Sequence, residues 1–187
     1  AKIGSPARAM SDSANAVIAA GLTRLGLIES PNATYDCGAA DNPRQCSQVQ
    51  LYYMHGLGHG IGLEVHDPDQ YYFTGKVAPG SAFTIEPGIY VRANLLDILA
   101  KTPRNAQLAS KIASAVKRFA DVGVRIEDDY VVTDQGVEWV SCGLPREADE
   151  IEALMQGKYN GPPARDAAKV DWYKGDPAHP AARYERP

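Results

Sequence analysis

The sequence predicts an α+β fold, and three observations carry that reading. Apolar residues recur at three- and four-residue intervals over 11–26 and 107–120, the period of an amphipathic helix. β-branched runs succeed one another across short turns between residues 122 and 141. Between the two kinds of segment, glycines at 56, 58, 60 and 62 argue against helix and permit close approach of backbone to other groups.

Taken in order, Ser11, Asp12 and Ser13 offer N-caps for a first helix over 11–26, Val17, Ile18, Leu22 and Leu25 form its core stripe, and Gly26 ends it. Residues 31–47, rich in Asn, Asp, Pro, Gly and Cys, predict a surface loop, and 49–54 are β-like. The glycine-spaced segment 55–68 and residues 71–76 lead to a turn at Pro79 and Gly80, a strand over 82–86, a turn at Pro87 and Gly88, and a run over 89–92. Residues 95–100 and 107–120 are helical, interrupted at Thr102 and Pro103, with Ile112, Val116 and Phe119 on one packing face. Strands are expected at 122–126, 130–133 and 137–141, and Pro145 and Arg146 open a helix running to about Met155. Residues 157–187 have no apolar period and read as an extended tail, with His179 in solvent.

Composition bounds what such a chain does. With 187 residues, 44% of them apolar and 22% charged, it can bury a core and hold a pocket. Its net charge of −4, with neither sign in a long run, leaves no electrostatic footprint for nucleic acid or an anionic membrane. The longest apolar stretches fall short of a bilayer span, and residues 1–9 contain no apolar signal core. The first residue is not Met, which predicts a mature, excised or cleaved product. Cys37 and Cys46 flank a short polar loop and either close it as a disulfide, implying an oxidising compartment, or stay free thiols in a cytosolic protein. No cysteine pair has the spacing of a structural zinc site.

Chemistry concentrates in three stretches: HGLGHGIGLEVHDP at 55–68, FTIEPGIYV at 83–91 and VRIEDDYVVT at 124–133. Three of the four histidines, His55, His59 and His66, fall within the first, which points to metal or proton chemistry. The glycines exclude the helical zinc-protease arrangement for His55 and His59, and position 56 is Gly rather than Glu. Glu86 and Glu127 end β-branched runs where alternation would place core residues, and burying either charge is costly without a partner or a cation. Each has an ordinary alternative, a surface glutamate at a strand end for Glu86 and a salt bridge to Arg125 for Glu127. Together with His59 they form one imidazole and two carboxylates, a set suited to Mn, Co, Fe or Zn.

These three stretches resemble the C-terminal half of the catalytic domain of the pita-bread metallopeptidases, in the aminopeptidase P and prolidase branch rather than methionine aminopeptidase. The resemblance rests on an HGxxHxxGLxVHD pattern from His55 to Asp67, a PGxxxTxEPGxY element from Pro79 to Tyr90, and a GxRIEDxxxVT element from Gly123 to Thr133. It implies a curved, mostly antiparallel sheet with helices on its outer face over 1–156, followed by the tail 157–187. It also implies His59, Glu86 and Glu127 as metal ligands, with Glu127 bridging two divalent ions, manganese first among them, and Glu86 shuttling the proton of the attacking water. His55 and His66 match histidines that bond the substrate and stabilise the oxyanion, and Arg125 matches an arginine that orients the carboxylates. Tyr71, Tyr72, Tyr90 and Trp139 are candidates for the apolar walls of a proline site, none of them assigned. The implied substrates are peptides with proline in second position, split as by an Xaa-Pro aminopeptidase or, alternatively, as Xaa-Pro dipeptides. A metal-free creatinase-like hydrolase and a non-catalytic binding module are the competing readings. By family the location is cytoplasmic, or periplasmic or secreted if Cys37 and Cys46 are bridged, and homo-oligomers are common among relatives.

The family's centre also takes two aspartates, and Asp12, Asp36 and Asp41 lie in the wrong context to be them. The resemblance therefore predicts a C-terminal fragment that becomes active when paired with the N-terminal portion of the same enzyme.

Overall fold

The computed structural model describes residues 2–38, 42, 44–68 and 75–157. The expectations for 71–74, for Tyr71 and Tyr72, and for almost all of the tail, His179 included, lie outside them.

Helix α1 spans Arg8–Arg24 and is followed by a hairpin of β1, Thr34–Asp36, and β2, Gln45–Ser47. A single 3-10 turn, Gln48–Leu51, precedes the glycine-spaced segment. Strands β3, Ala82–Ile85, and β4, Gly88–Tyr90, come next, then the helices α2, Leu95–Ile98, and α3, Pro103–Arg118. Strands β5, Gly123–Arg125, β6, Asp128–Thr133, and β7, Gly136–Trp139, lead into α4, Ala148–Gln156. The sheets run β1-β2, β3-β6-β7 and β4-β5, every pair antiparallel. The architecture is α+β.

Several local expectations are corrected. Helix α1 starts at Arg8 with no side-chain cap, so Ser11, Asp12 and Ser13 lie inside it, and Ser13 bonds back to the Ala9 carbonyl. Leu22 is buried and Ile18 packs on the core, but Val17 and Leu25 face outward. Within the expected loop 31–47, Thr34–Asp36 and Gln45–Ser47 pair as antiparallel strands, and Cys37 and Cys46 are joined as a disulfide. Residues 49–54 form no strand. Tertiary bonds set this backbone instead: the Tyr52 hydroxyl donates to the Leu27 carbonyl at 2.7 Å, and Tyr90 N–H donates to the Tyr52 carbonyl. Helix α3 begins at Pro103, earlier than 107, because Thr102 caps it by accepting the Asn105 N–H and Pro suits the first helical turn. Helix α4 begins at Ala148, because Arg146 is turned back onto Asp128 and lies over the Trp139 ring.

The larger core joins Leu22, Leu27, Leu51, Tyr52 and Val91 to Leu95, Leu108, Ile112 and Val116, so α1 and α3 cover the turn and β4. A smaller core of Val77, Phe83 and Val132 lies under β3 and β6. Phe83 and Ile85 of β3 belong to the smaller core and Ile89 of β4 packs on the larger, so the junction at Glu86 and Pro87 lies between the two.

Candidate metal centre

Strand register builds this site. β3 pairs with β6 as Ile85 opposite Asp128, and β4 pairs with β5 as Gly88 opposite Arg125. Continuing that register across the break sets Glu86 opposite Glu127 and Pro87 opposite Ile126. On the other edge of β3 the glycine-spaced segment runs antiparallel: Ile61 N–H donates to Ala82, Thr84 N–H to His59, and Glu86 N–H to Leu57. Glycine is required at 58, where a Cβ would be driven into the Thr84 carbonyl. Without that approach His59 could not sit beside Thr84.

One ligand atom each from His59, Glu86 and Glu127 lies within 4.8 Å of the others, the single such group of three among the described residues. Glu86 is 7% exposed, which rules out the surface-glutamate alternative; His59 is half-buried and Glu127 exposed. Glu86 Oε1 stands 3.2 Å from His59 Nε2 and accepts the Thr84 hydroxyl at 3.2 Å, while Oε2 accepts Arg125 Nη1 at 3.1 Å. Arg125 thus reaches Glu86.

Proton inventory tests whether a cation fits. The Gly60 carbonyl can only accept, so His59 Nδ1, 2.8 Å from it, carries a hydrogen, and in the neutral imidazole Nε2 then turns its lone pair toward Glu86 Oε1. Two acceptors at that distance repel unless a proton or a metal cation lies between them. Two carboxylates opposed in one ladder carry the same instruction. The residues present fit a divalent ion of intermediate hardness.

A second layer surrounds them. Arg125 Nε donates to the Tyr90 hydroxyl at 2.6 Å, and Tyr90 lies 3.2 Å from His55 Nε2. His55 Nδ1 donates to the Gly56 carbonyl, and Gly88 leaves the room in which His55 and Tyr90 meet. The Tyr90 bond, assisted by the charges of Glu86 and Glu127, raises the pKa of the Arg125 guanidinium further. Burial, reinforced by the Glu86 charge, pushes the nearby Tyr53 phenol up. His66 is exposed, with its ring 4.7 Å from that of His59.

Beside Glu127, burial alone would push the Asp128 carboxyl up, but bonds from Arg146, Ser141 and Trp139 outweigh it and hold the pKa low. Trp139 lies under Arg146, at the far end of β7. Sequence reasoning assigned no role to Thr84, Tyr90 or Asp128. The signal for Thr84 was there: in AFTIEPG it stands two residues before Glu86, on the same strand face.

Antiparallel pairing delivers one histidine and two opposed glutamates to a single point, a ligand set suited to a divalent metal, and the class to which the fold belongs is that of the metallopeptidases. Residues 1–134 match metallopeptidase family M24, and the chain belongs to that family. It is 35% identical over 158 residues to Xaa-Pro aminopeptidase 2 of Streptomyces coelicolor, covering 82% of this chain and 28% of that protein. It is 36% identical over 152 residues to the Xaa-Pro dipeptidase of Rattus norvegicus, covering 73% of this chain and 29% of that protein. Among solved structures it resembles an aminopeptidase from Pseudomonas aeruginosa with a TM-score of 0.54 and 35% identity, over 82% of this chain and 30% of that one. The fold is the C-terminal half of the pita-bread fold. The chain spans less than a third of the length of each relative.

Proposed function

We propose that this chain carries half of the catalytic centre of a metal-dependent Xaa-Pro aminopeptidase. The observation that carries the proposal is the meeting of His59, Glu86 and Glu127 within 4.8 Å. Two divalent ions, when bound, lower the pKa of a water molecule toward neutrality and polarise the scissile carbonyl. His59 Nε2 and the two carboxylates would hold the ions, and Glu86 would take up the proton of the attacking water. Arg125 keeps Glu86 oriented. His66 would supply an N–H donor where negative charge develops on the substrate carbonyl, and His55 would do so on exchanging its bond to Tyr90 for the substrate. Proline's nitrogen has no hydrogen to offer, so recognition rests on ring shape against apolar walls, for which Tyr90 and Trp139 are candidates.

Three protein ligands are too few for two ions, and the N-terminal portion of the same protein supplies the two aspartates. Coverage of 28–30% of the relatives supports this reading. So do Ile61, Leu63 and Val65, whose apolar side chains stand exposed on the histidine-bearing segment. Manganese is the proposed metal. The Cys37–Cys46 disulfide supports a periplasmic or secreted location, and counting thiols in protein isolated without reductant tests it. Among the described residues no helix is long and apolar enough to cross a membrane.

The test is manganese-stimulated release of the first residue from Xaa-Pro-Xaa tripeptides by the complete protein. Absence of release with every divalent metal overturns the reading. The similarity to the rat Xaa-Pro dipeptidase favours one second reading, cleavage of Xaa-Pro dipeptides, and turnover confined to dipeptides would establish it.

A further inference from the structure

We propose that Thr84 is a positioning residue of this centre: its hydroxyl bridges the backbone of His59 to the carboxylate of Glu86 and holds both in the geometry that receives a cation. The inference rests on the metal-centre reading above. Thr84 is 4% exposed, and a buried hydroxyl is costly unless its bonds are made. Both contacts are made to the site. The His59 N–H lies 3.1 Å from Thr84 Oγ1, and Glu86 Oε1 lies 3.2 Å from it.

The polarity of this pair is fixed by chemistry. A backbone N–H can only donate, so Oγ1 accepts from His59, and its single hydrogen is then directed to Glu86 Oε1. That oxygen accepts with both lone pairs available when the carboxylate is ionised, the form that binds metal. Meanwhile Arg125 holds Oε2 at 3.1 Å, so the two oxygens of Glu86 are each oriented by a separate donor. The backbone adds a second link, because Thr84 N–H donates to the His59 carbonyl at 2.9 Å. A valine of the same shape would keep that strand pairing and lose the bridge. His59 and Glu86 come from segments 27 residues apart, and the Thr84 side chain is bonded to both.

Manganese(II) affinity, measured by titration calorimetry on the complete protein together with its melting temperature, tests the proposal. Thr84→Val is expected to weaken binding about 10- to 100-fold, the usual cost of losing a partner that orients a ligand. Thr84→Ser, which keeps the hydroxyl, is expected to bind within a few-fold of the parent. Thr84→Ala gives the same reading should valine prevent folding. Parent-like affinity in the folded Val or Ala variant overturns the proposal. So does equal weakening by Ser and Val, since the hydroxyl is then not what matters. His59→Ala and Glu86→Gln separate the two levels: parent-like manganese binding in both overturns the metal centre itself, whereas their failure beside a parent-like Thr84→Val overturns Thr84 alone.

Discussion

Glu86 and Glu127 stand opposite each other where two antiparallel ladders meet, with His59 Nε2 3.2 Å from Glu86 Oε1. Folding brings like charges together here, on strands anchored by two separate cores. Such an arrangement is unfavourable for the metal-free chain and favourable once a cation joins it. Replacing Glu127 by Gln is therefore expected to stabilise the metal-free protein by a few tenths to ~1 kcal/mol while removing metal binding. Denaturant unfolding with and without manganese checks both halves, and a destabilised metal-free variant would contradict the first.

His59→Ala is expected to abolish manganese- or cobalt-stimulated release of the residue before proline in the complete protein. The loss should exceed the ~100-fold ceiling for partners that only orient a ligand. Steady-state kinetics at saturating metal measure it, and retained turnover would remove His59 from the ligand set.

Gly58→Ala addresses the backbone rather than the ligands. A methyl group there meets the Thr84 carbonyl, which is held in the sheet and has little room to yield. Overpacking of this kind costs about 1–3 kcal/mol, and the displacement of His59 should weaken metal binding in parallel. A variant with parent-like melting temperature and metal affinity would show that the two segments are not in close contact.

Much of this was legible in the sequence because charge and apolar run conflict at two places. Glu86 and Glu127 each end a β-branched segment, where an unpartnered carboxylate is expensive, and the three clustered histidines mark the third segment of the site. Helix α3 was legible for a similar reason, since Ile112, Val116 and Phe119 keep one period. The backbone at 49–54 was not, because its path is set by bonds from Tyr52 to Leu27 and from Tyr90 to Tyr52, partners remote in sequence. Val17 satisfied the helical period yet faces outward, since packing rather than pattern decides which side of α1 is covered. Thr84 escaped notice because a threonine in a strand is ordinary by type, and its role arises from what lies opposite.

Arg125→Lys is expected to lower kcat about 10- to 100-fold with little change in melting temperature. The guanidinium reaches Tyr90 through Nε and Glu86 through Nη1, and an ammonium cannot span both. Tyr90→Phe removes only one of those bonds and should lose less. Equal activity in the lysine variant and the parent would show that Arg125 does not orient Glu86.

Away from the site, Glu29 contributes to how the fold responds to acid. Its carboxylate accepts Arg104 at 2.5 Å, Lys111 at 2.7 Å and Gln48 at 2.6 Å, tying the segment after α1 to α3 and to the 3-10 turn. The Arg104 bond, then the Lys111 bond, lower its pKa from 4.5 to about 2, against the opposing effect of burial. Because the folded value lies below the unfolded one, the stabilisation is fully present above pH ~4.5 and is lost as pH falls from there toward 2. With Lys111 largely in solvent, the contribution is discounted to about 1–2 kcal/mol. Glu29→Gln should lower stability at neutral pH by that amount and flatten the decline between pH 5 and 2. Urea midpoints measured across that range decide it: a variant whose stability falls in parallel with the parent's would show that other carboxylates set the acid limit.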